Sequence, residues 1–211
     1  MNGLEKIKIL RGADRVRKRP AVIFGDDGIM GCETAFYGLF KNSVEEAEDG
    51  FGDVITVTVS EDDGTIEIED HGRGIYMGWN EEENCPNWEI VFCKLYAGGK
   101  FNGDPFGGMD VTCAQYASEF TEVWTYDGKH EYYLHFSKGN VDSELRVTPI
   151  DTPRTGTVVR WKPDGEVFTN TAIPYDYFSQ SLWREAYNHP GVRFALDYKG
   201  TASEYFFPAE D

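Results

Sequence analysis

Val54-Ile55-Thr56-Val57-Thr58-Val59, then Asp62-Asp63-Gly64, then Thr65-Ile66-Glu67-Ile68-Glu69-Asp70 is the stretch that decides the fold. Two alternating runs joined at an Asp-Gly turn predict an antiparallel hairpin with one buried face. The second strand runs straight into Asp70-His71-Gly72-Arg73-Gly74-Ile75, where two glycines flank an arginine directly after an acid. Upstream, residues 31–49 read as a helix ending at Gly50. At ~100° per residue, Phe36, Phe40, Ser43 and Ala47 share a stripe suited to packing on a sheet. Gly38, Asn42 and Glu46 fall on an adjacent stripe, and Lys41, Glu45 and Glu48 are expected to face solvent.

Outward from this core the pattern continues. Residues 8–19 predict a short helix closed by Pro20, 86–96 a helix of mixed pattern, and 111–119 a further short one. Gly98 to Gly108 has the composition of a loop. Strands are expected at 120–126 and 130–136, joined at Asp127-Gly128, and at 144–149 and 156–162. A helix around 174–187 precedes a last hairpin, 192–198 and 203–207, turned at Lys199-Gly200. There is no internal repeat and no linker. The expectation is one α+β domain over residues 1–211, a two-layer sandwich whose mixed, mostly antiparallel sheet has helices on one face.

The 211 residues suffice for a substantial core, and 14 Phe, 12 Tyr and 5 Trp supply aromatic surface to fill it. A net charge of −17 argues against this chain itself gripping nucleic acid, which needs a cationic surface. From Glu45 to Glu83 there are 14 acidic residues and one Lys or Arg, Arg73. A lone arginine amid so many carboxylates suggests a specific pairing. Arg11, Arg15, Arg17, Lys18 and Arg19 form the opposite segment, read as a solvated helix face rather than a nucleic-acid arm. Cys32, Cys85, Cys93 and Cys113 lack CxxC or zinc spacing, so reduced core thiols in a cytoplasmic protein are expected. No apolar run approaches a membrane span, and no signal-peptide layout opens the chain.

If the helix stripe and the hairpin end share a cavity, their chemistry is complementary. Asp70 accepts, and so suits the exocyclic amine of an adenine. Gly72 and Gly74 let backbone approach a flat ring. Arg73 forks onto Glu46. Asn42 offers Mg²⁺ an uncharged oxygen beside phosphates. Gly98, Gly99 and Lys100 sit where a loop closes over phosphates. Thr157, within Thr155-Gly156-Thr157, supplies a hydroxyl next to Asp70. Each piece alone has an ordinary reading as a surface amide, a tight turn or a loop. Their joint order carries the inference.

On these residues the chain resembles the ATPase domain of the B subunits of DNA gyrase and topoisomerase IV, within the family of gyrase, heat-shock chaperone, histidine kinase and mismatch-repair ATPases. Arg15-Val16-Arg17-Lys18-Arg19-Pro20 with Ile23-Phe24-Gly25 is similar to the gyrase-type opening. Asn42-Ser43-Val44-Glu45-Glu46-Ala47 resembles the asparagine box, and Asp70-His71-Gly72-Arg73-Gly74-Ile75 the first glycine box. Tyr96-Ala97-Gly98-Gly99-Lys100-Phe101 and Thr155-Gly156-Thr157-Val158-Val159-Arg160 resemble later signatures. The Ala97-Gly98-Gly99-Lys100 stretch separates this group from the kinases and chaperones. The resemblance implies a Bergerat-type fold binding Mg-ATP, or an inhibitor competing with it. Asp70 would read adenine, Asn42 hold Mg²⁺, Glu46 and Arg73 pair, and Thr157 support Asp70. Lys100 would approach phosphate, while Leu39, Ile68, Ile75 and Val159 would be apolar walls, with Gly74 in the glycine turn. It also implies that an A-type subunit and DNA engage through regions absent here.

Three departures qualify the implied activity. The family places its general base, a glutamate, one helical turn before the asparagine, where this chain has Gly38. Glu33 lies nine residues before Asn42, roughly 180° around the helix, and does not substitute. The phosphate-covering lid is shortened near 101–109. The N-terminal arm is short and the transducer domain is absent, so a monomer is expected. An alternative is a degenerate paralogue acting as a non-hydrolysing binding module.

Overall fold

The computed structural model describes residues 10, 12–95 and 111–209. In chain order the elements are α1 (Ala13–Arg17), α2 (Pro20–Phe24), α3 (Ile29–Glu48), β1 (Val54–Val59), β2 (Ile66–Asp70), β3 (Trp79–Asn80), β4 (Cys85–Pro86), α4 (Asn87–Cys93), α5 (Val111–Tyr116), β5 (Ser118–Asp127), β6 (His130–Ser137), β7 (Asn140–Val141), β8 (Arg146–Pro149), β9 (Thr155–Pro163), α6 (Tyr175–Asn188), β10 (Arg193–Tyr198) and β11 (Thr201–Phe206).

The main sheet runs β11-β10-β1-β2-β9-β5-β6-β7, with β8 also pairing β6. Among the described residues only β1 and β10 pair in parallel; the other pairs are antiparallel. The hairpin alternates as its sequence requires. Ile55, Val57 and Val59 are buried on β1, and Ile66, Ile68 and Asp70 on β2. This face receives the helices. Phe36 and Phe40 of α3 stack at 5.7 Å, and pack edge-on against Phe178 of α6 at 4.8 Å and Phe194 of β10 at 6.0 Å. Trp161 of β9, fully buried, donates its indole N–H to the Ala114 carbonyl of α5 at 2.9 Å.

The opposite face stays open and charged. There Arg160 meets Glu122 at 2.8 Å and Glu67 at 3.6 Å, and Arg154 meets Glu69 at 2.5 Å. The architecture is therefore the expected mixed, mostly antiparallel sheet with helices on one face.

Several local expectations need correction. Among the described residues the helix expected over 8–19 runs only from Ala13 to Arg17, and Pro20 opens α2 instead of closing α1. Proline suits a first helical position, where its missing N–H has no intrahelical partner to lose. The helix expected over 111–119 ends at Tyr116, because Ser118 already pairs with Pro163 in the sheet. Lys41 and Glu45 are half-buried rather than facing solvent, while Glu48 is exposed. The shortened lid near 101–109 lies outside the described residues.

Candidate functional site

The site forms where β2 ends beneath the glycine turn. Asp70 pairs in register with Ile55 of β1 and Thr157 of β9, and period-two alternation turns its side chain toward α3. It is only 3% exposed. Its Oδ1 accepts from the Gly72 N–H at 3.0 Å and the Thr157 N–H at 3.2 Å, and its Oδ2 from the Ser43 hydroxyl at 2.9 Å. Burial pushes the carboxyl above its usual range; these three donors pull it back, and the nearby Glu46 adds to the rise. All three donors are neutral. A carboxylate offers about four acceptor positions, so one acceptor position is left, on the oxygen that Ser43 steadies.

Close packing explains the glycines. A Cβ on Gly72 would sit 3.1 Å from Asp70 Oδ1 and 3.0 Å from the Glu46 Cβ. Gly156, at φ +119°, would place a Cβ 2.1 Å from the Asp70 carbonyl oxygen. Backbone thus lies directly against the Asp70 side chain at Gly72 and against its main chain at Gly156, and a side chain at either position would force them apart.

Thr125 ties the turn to the sheet. Its Oγ accepts from the Ile75 N–H at 2.7 Å, donates to the Gly156 carbonyl at 3.3 Å and lies 3.5 Å from the Thr157 hydroxyl. Ile68 and Val159 pair across β2 and β9, on the face carrying Asp70 and Thr157. Leu39 and Ile68 are buried, Ile75 and Val159 half-buried.

Arg73 grips Glu46 in a fork, Nε to Oε2 at 3.0 Å and Nη2 to Oε1 at 2.8 Å, while its backbone N–H donates to Oε2 at 3.2 Å. The guanidinium also reaches Asp49 at 3.3 Å and covers the Phe51 ring at 3.9 Å. The Arg73 hydrogen bonds hold the Glu46 carboxyl below its usual value. The glycine turn is thereby bolted to α3. Asn42, one turn before Glu46 and next to Ser43, is half-buried, and its side-chain amide has no hydrogen-bond partner among the described residues. Gly38 lies on α3 one turn earlier still. Glu33 lies toward α6, where the Tyr177 hydroxyl donates to its carbonyl at 3.1 Å.

Asp70, Glu46, Arg73, Ile75, Thr157, Ile68 and Val159 are thus linked by hydrogen bonds or register, with Gly74 between Arg73 and Ile75 in the turn. Lys100, with Gly98 and Gly99, lies outside the described residues. Sequence reasoning misses two residues. Ser43 reads as part of the sheet-packing stripe, yet its hydroxyl serves Asp70; a polar residue on an otherwise apolar stripe is the available signal. Thr125 gives none, being one alternating residue of an ordinary strand. Thr157 meets Asp70 through its backbone N–H, while its hydroxyl lies against Thr125. The reason is register: Thr157 stands directly opposite Asp70, so its amide is nearest.

No protein-family model matches the chain. Individual proteins do. Over 203 residues it is 35% identical to the DNA gyrase B subunit of Thermotoga maritima, covering 92% of this chain and 31% of that protein. With the DNA topoisomerase 4 B subunit of Staphylococcus epidermidis it shares 34% identity, over 91% of this chain and 30% of that protein. The crystal structure of the 43K ATPase domain of Thermus thermophilus gyrase B in complex with an aminocoumarin aligns with a TM-score of 0.82 at 29% identity, over 94% of this chain and 52% of that one. The chain spans about a quarter to under a third of the length of the curated relatives it matches.

Proposed function

Because the chain is a homologue of the DNA gyrase and topoisomerase IV B subunits and has the fold of the gyrase B ATPase domain, we propose that it is the ATP-binding domain of a type IIA topoisomerase B subunit. One observation carries this reading. Asp70 is a buried carboxylate with no cationic partner among the described residues, held by three neutral donors with an acceptor position to spare. An adenine amino group supplies the missing donor. A guanine carbonyl oxygen at that point would meet an acceptor and be rejected.

The other residues take roles around this contact. Gly72 and Gly74 let the backbone lie flat against the base, and Ile68, Ile75, Val159 and Leu39 supply apolar surface. The Glu46–Arg73 fork fixes the turn to α3. Asn42 fits a Mg²⁺ ligand, since its half-buried amide oxygen is uncommitted among the described residues and adds no negative charge beside a triphosphate. Bound there, Mg²⁺ would neutralise phosphate charge. Lys100 would add a point cation.

In the intact enzyme, with an A-type subunit and DNA, nucleotide binding would drive strand passage. This chain by itself would be a cytoplasmic monomer that binds adenine-like ligands, inhibitors included, and turns over poorly, because Gly38 stands where a carboxylate would orient water. Titration calorimetry with ADP and Mg²⁺ tests binding, and Gly38→Glu tests the base. Saturable heat that an aminocoumarin abolishes is expected, with higher turnover in Gly38→Glu. Absence of both binding and competition would favour the second reading, a degenerate paralogue, to which Gly38 also points.

A further inference from the structure

The strand that ends at Asp70 begins at a second hollow. At ~3.3 Å per residue the two ends of β2 lie about 13 Å apart. Beside Ile66, a cavity of about 200 Å³ opens between the β1–β2 turn, the end of β9, residues 171–173 and the β10–β11 turn. Its floor is apolar: Val59, Ile66, Ile173 and Phe178 are all at most 5% exposed.

Its rim is charged. Lys162 lies 3.4 Å from Glu119 and 3.9 Å from Asp63, and Asp63 is itself held by the Thr65 N–H at 3.0 Å and the Thr65 hydroxyl at 2.7 Å. Lys199, on the β10–β11 turn, has no carboxylate at ion-pair distance among the described residues; its ammonium lies 5.3 Å from the Tyr198 ring centroid. Like Arg15, Arg19 and Lys129, it has no ion pair among the described residues; unlike them, it stands at the lip of an apolar hollow. The lining carries two ammonium groups against one carboxylate.

We propose that this cavity binds a small apolar monocarboxylate, its hydrocarbon body on Ile66, Ile173 and Phe178 and its carboxylate on Lys199 and Lys162. Volume limits the ligand. Pockets for drug-sized molecules run from about 300 Å³ upward, so this one takes a body of roughly ten non-hydrogen atoms and excludes a nucleotide. The site is independent of the adenine reading.

Benzoate is the probe, titrated into the ¹⁵N-labelled chain and read by backbone amide shifts. Saturable shifts are expected at Gly64, Ala172, Ile173 and Lys199, with the neutral isostere benzamide at least about threefold weaker. Lys199→Gln weakens benzoate roughly three- to tenfold, and Lys199→Arg keeps it within about twofold. Lys199 is exposed on a turn, and Lys162→Gln serves as a second loss of charge should Lys199→Gln disturb it. No saturable shift at these amides, equal affinity for benzamide, or unchanged affinity in both lysine variants overturns the proposal.

Discussion

Glu69 and Asp70 are neighbours on one strand and point to opposite faces of the sheet. Glu69 looks onto the open face, where Arg154 meets it at 2.5 Å and stacks on Tyr126 at 4.2 Å. Asp70 looks toward the helices, is nearly fully buried, and is met by neutral donors alone. Placing a carboxylate in a dry interior without a cation is costly. The open-face charges are arranged so that each finds its opposite. The buried one keeps an acceptor position without a donor, and this contrast is what supports the proposal that Asp70 takes a ligand.

The sharpest way to break the contrast is to remove the acceptor. Asp70→Asn keeps the shape but presents an amide donor where the adenine amino group needs an acceptor. Calorimetry with ADP and Mg²⁺ is expected to show a loss of ~1.5–3 kcal/mol, about tenfold or more in affinity. Undiminished binding would mean that the base sits elsewhere. A smaller effect should follow from Ser43→Ala, which frees Oδ2 from its one internal donor at 2.9 Å. Affinity should fall by ~1 kcal/mol, severalfold, because the carboxylate loses its fixed orientation; a change confined to thermal stability would reduce Ser43 to packing.

That Ser43 has to be tested separately shows how far the sequence reaches. Glu46, Asp70 and Arg73 are legible because each is an unusual residue at a helical or turn spacing that makes sense only jointly, whereas Asn42 keeps its place on the same helix face without a contact that joins it to them. The hairpin is legible because period-two alternation is a direct imprint of a half-buried face. Ser43 is not, since a helical stripe predicts direction without saying whether its target is a methyl group or a carboxylate. Thr125 and the backbone N–H of Thr157 depend on the β2–β9–β5 register, which brings together residues 87 and 32 positions apart. Pro20 misleads because the same fixed φ that stops one helix suits the first position of the next.

Acid titration should separate Asp70 from its other carboxylate neighbour in the site, Glu46, by sign. Burial raises Asp70 above its ordinary 3.8. Between that value and the raised one the native form holds a proton that the unfolded chain has released, so its contribution to stability is full below that value and is lost as pH rises through the raised one. Hydrogen bonds from Arg73 lower Glu46 from its ordinary 4.5. Its contribution is present above that value and is lost as pH falls through the lowered one. Urea unfolding from about pH 3 to about pH 7 is therefore expected to show Asp70→Asn gaining on the wild type as pH rises, and Glu46→Gln gaining as pH falls. Parallel profiles for the two variants would mean that the carboxylates share one environment.

The smallest effect belongs to the open face, and its smallness is the point. Arg154 and Glu69 have side chains 39% and 29% exposed, so water screens their attraction and competes for both groups. A double-mutant cycle of Glu69→Gln with Arg154→Met should give a coupling of roughly 0.2–1 kcal/mol, decreasing as salt is raised. A short ion pair on the open face then contributes little, however close its atoms lie. Burial would set the worth of each carboxylate, and the sheet would separate them by one residue. A coupling above about 2 kcal/mol that salt leaves unchanged would instead place the Glu69 face in an equally dry setting. It would also end the reason for singling out Asp70 by its surroundings.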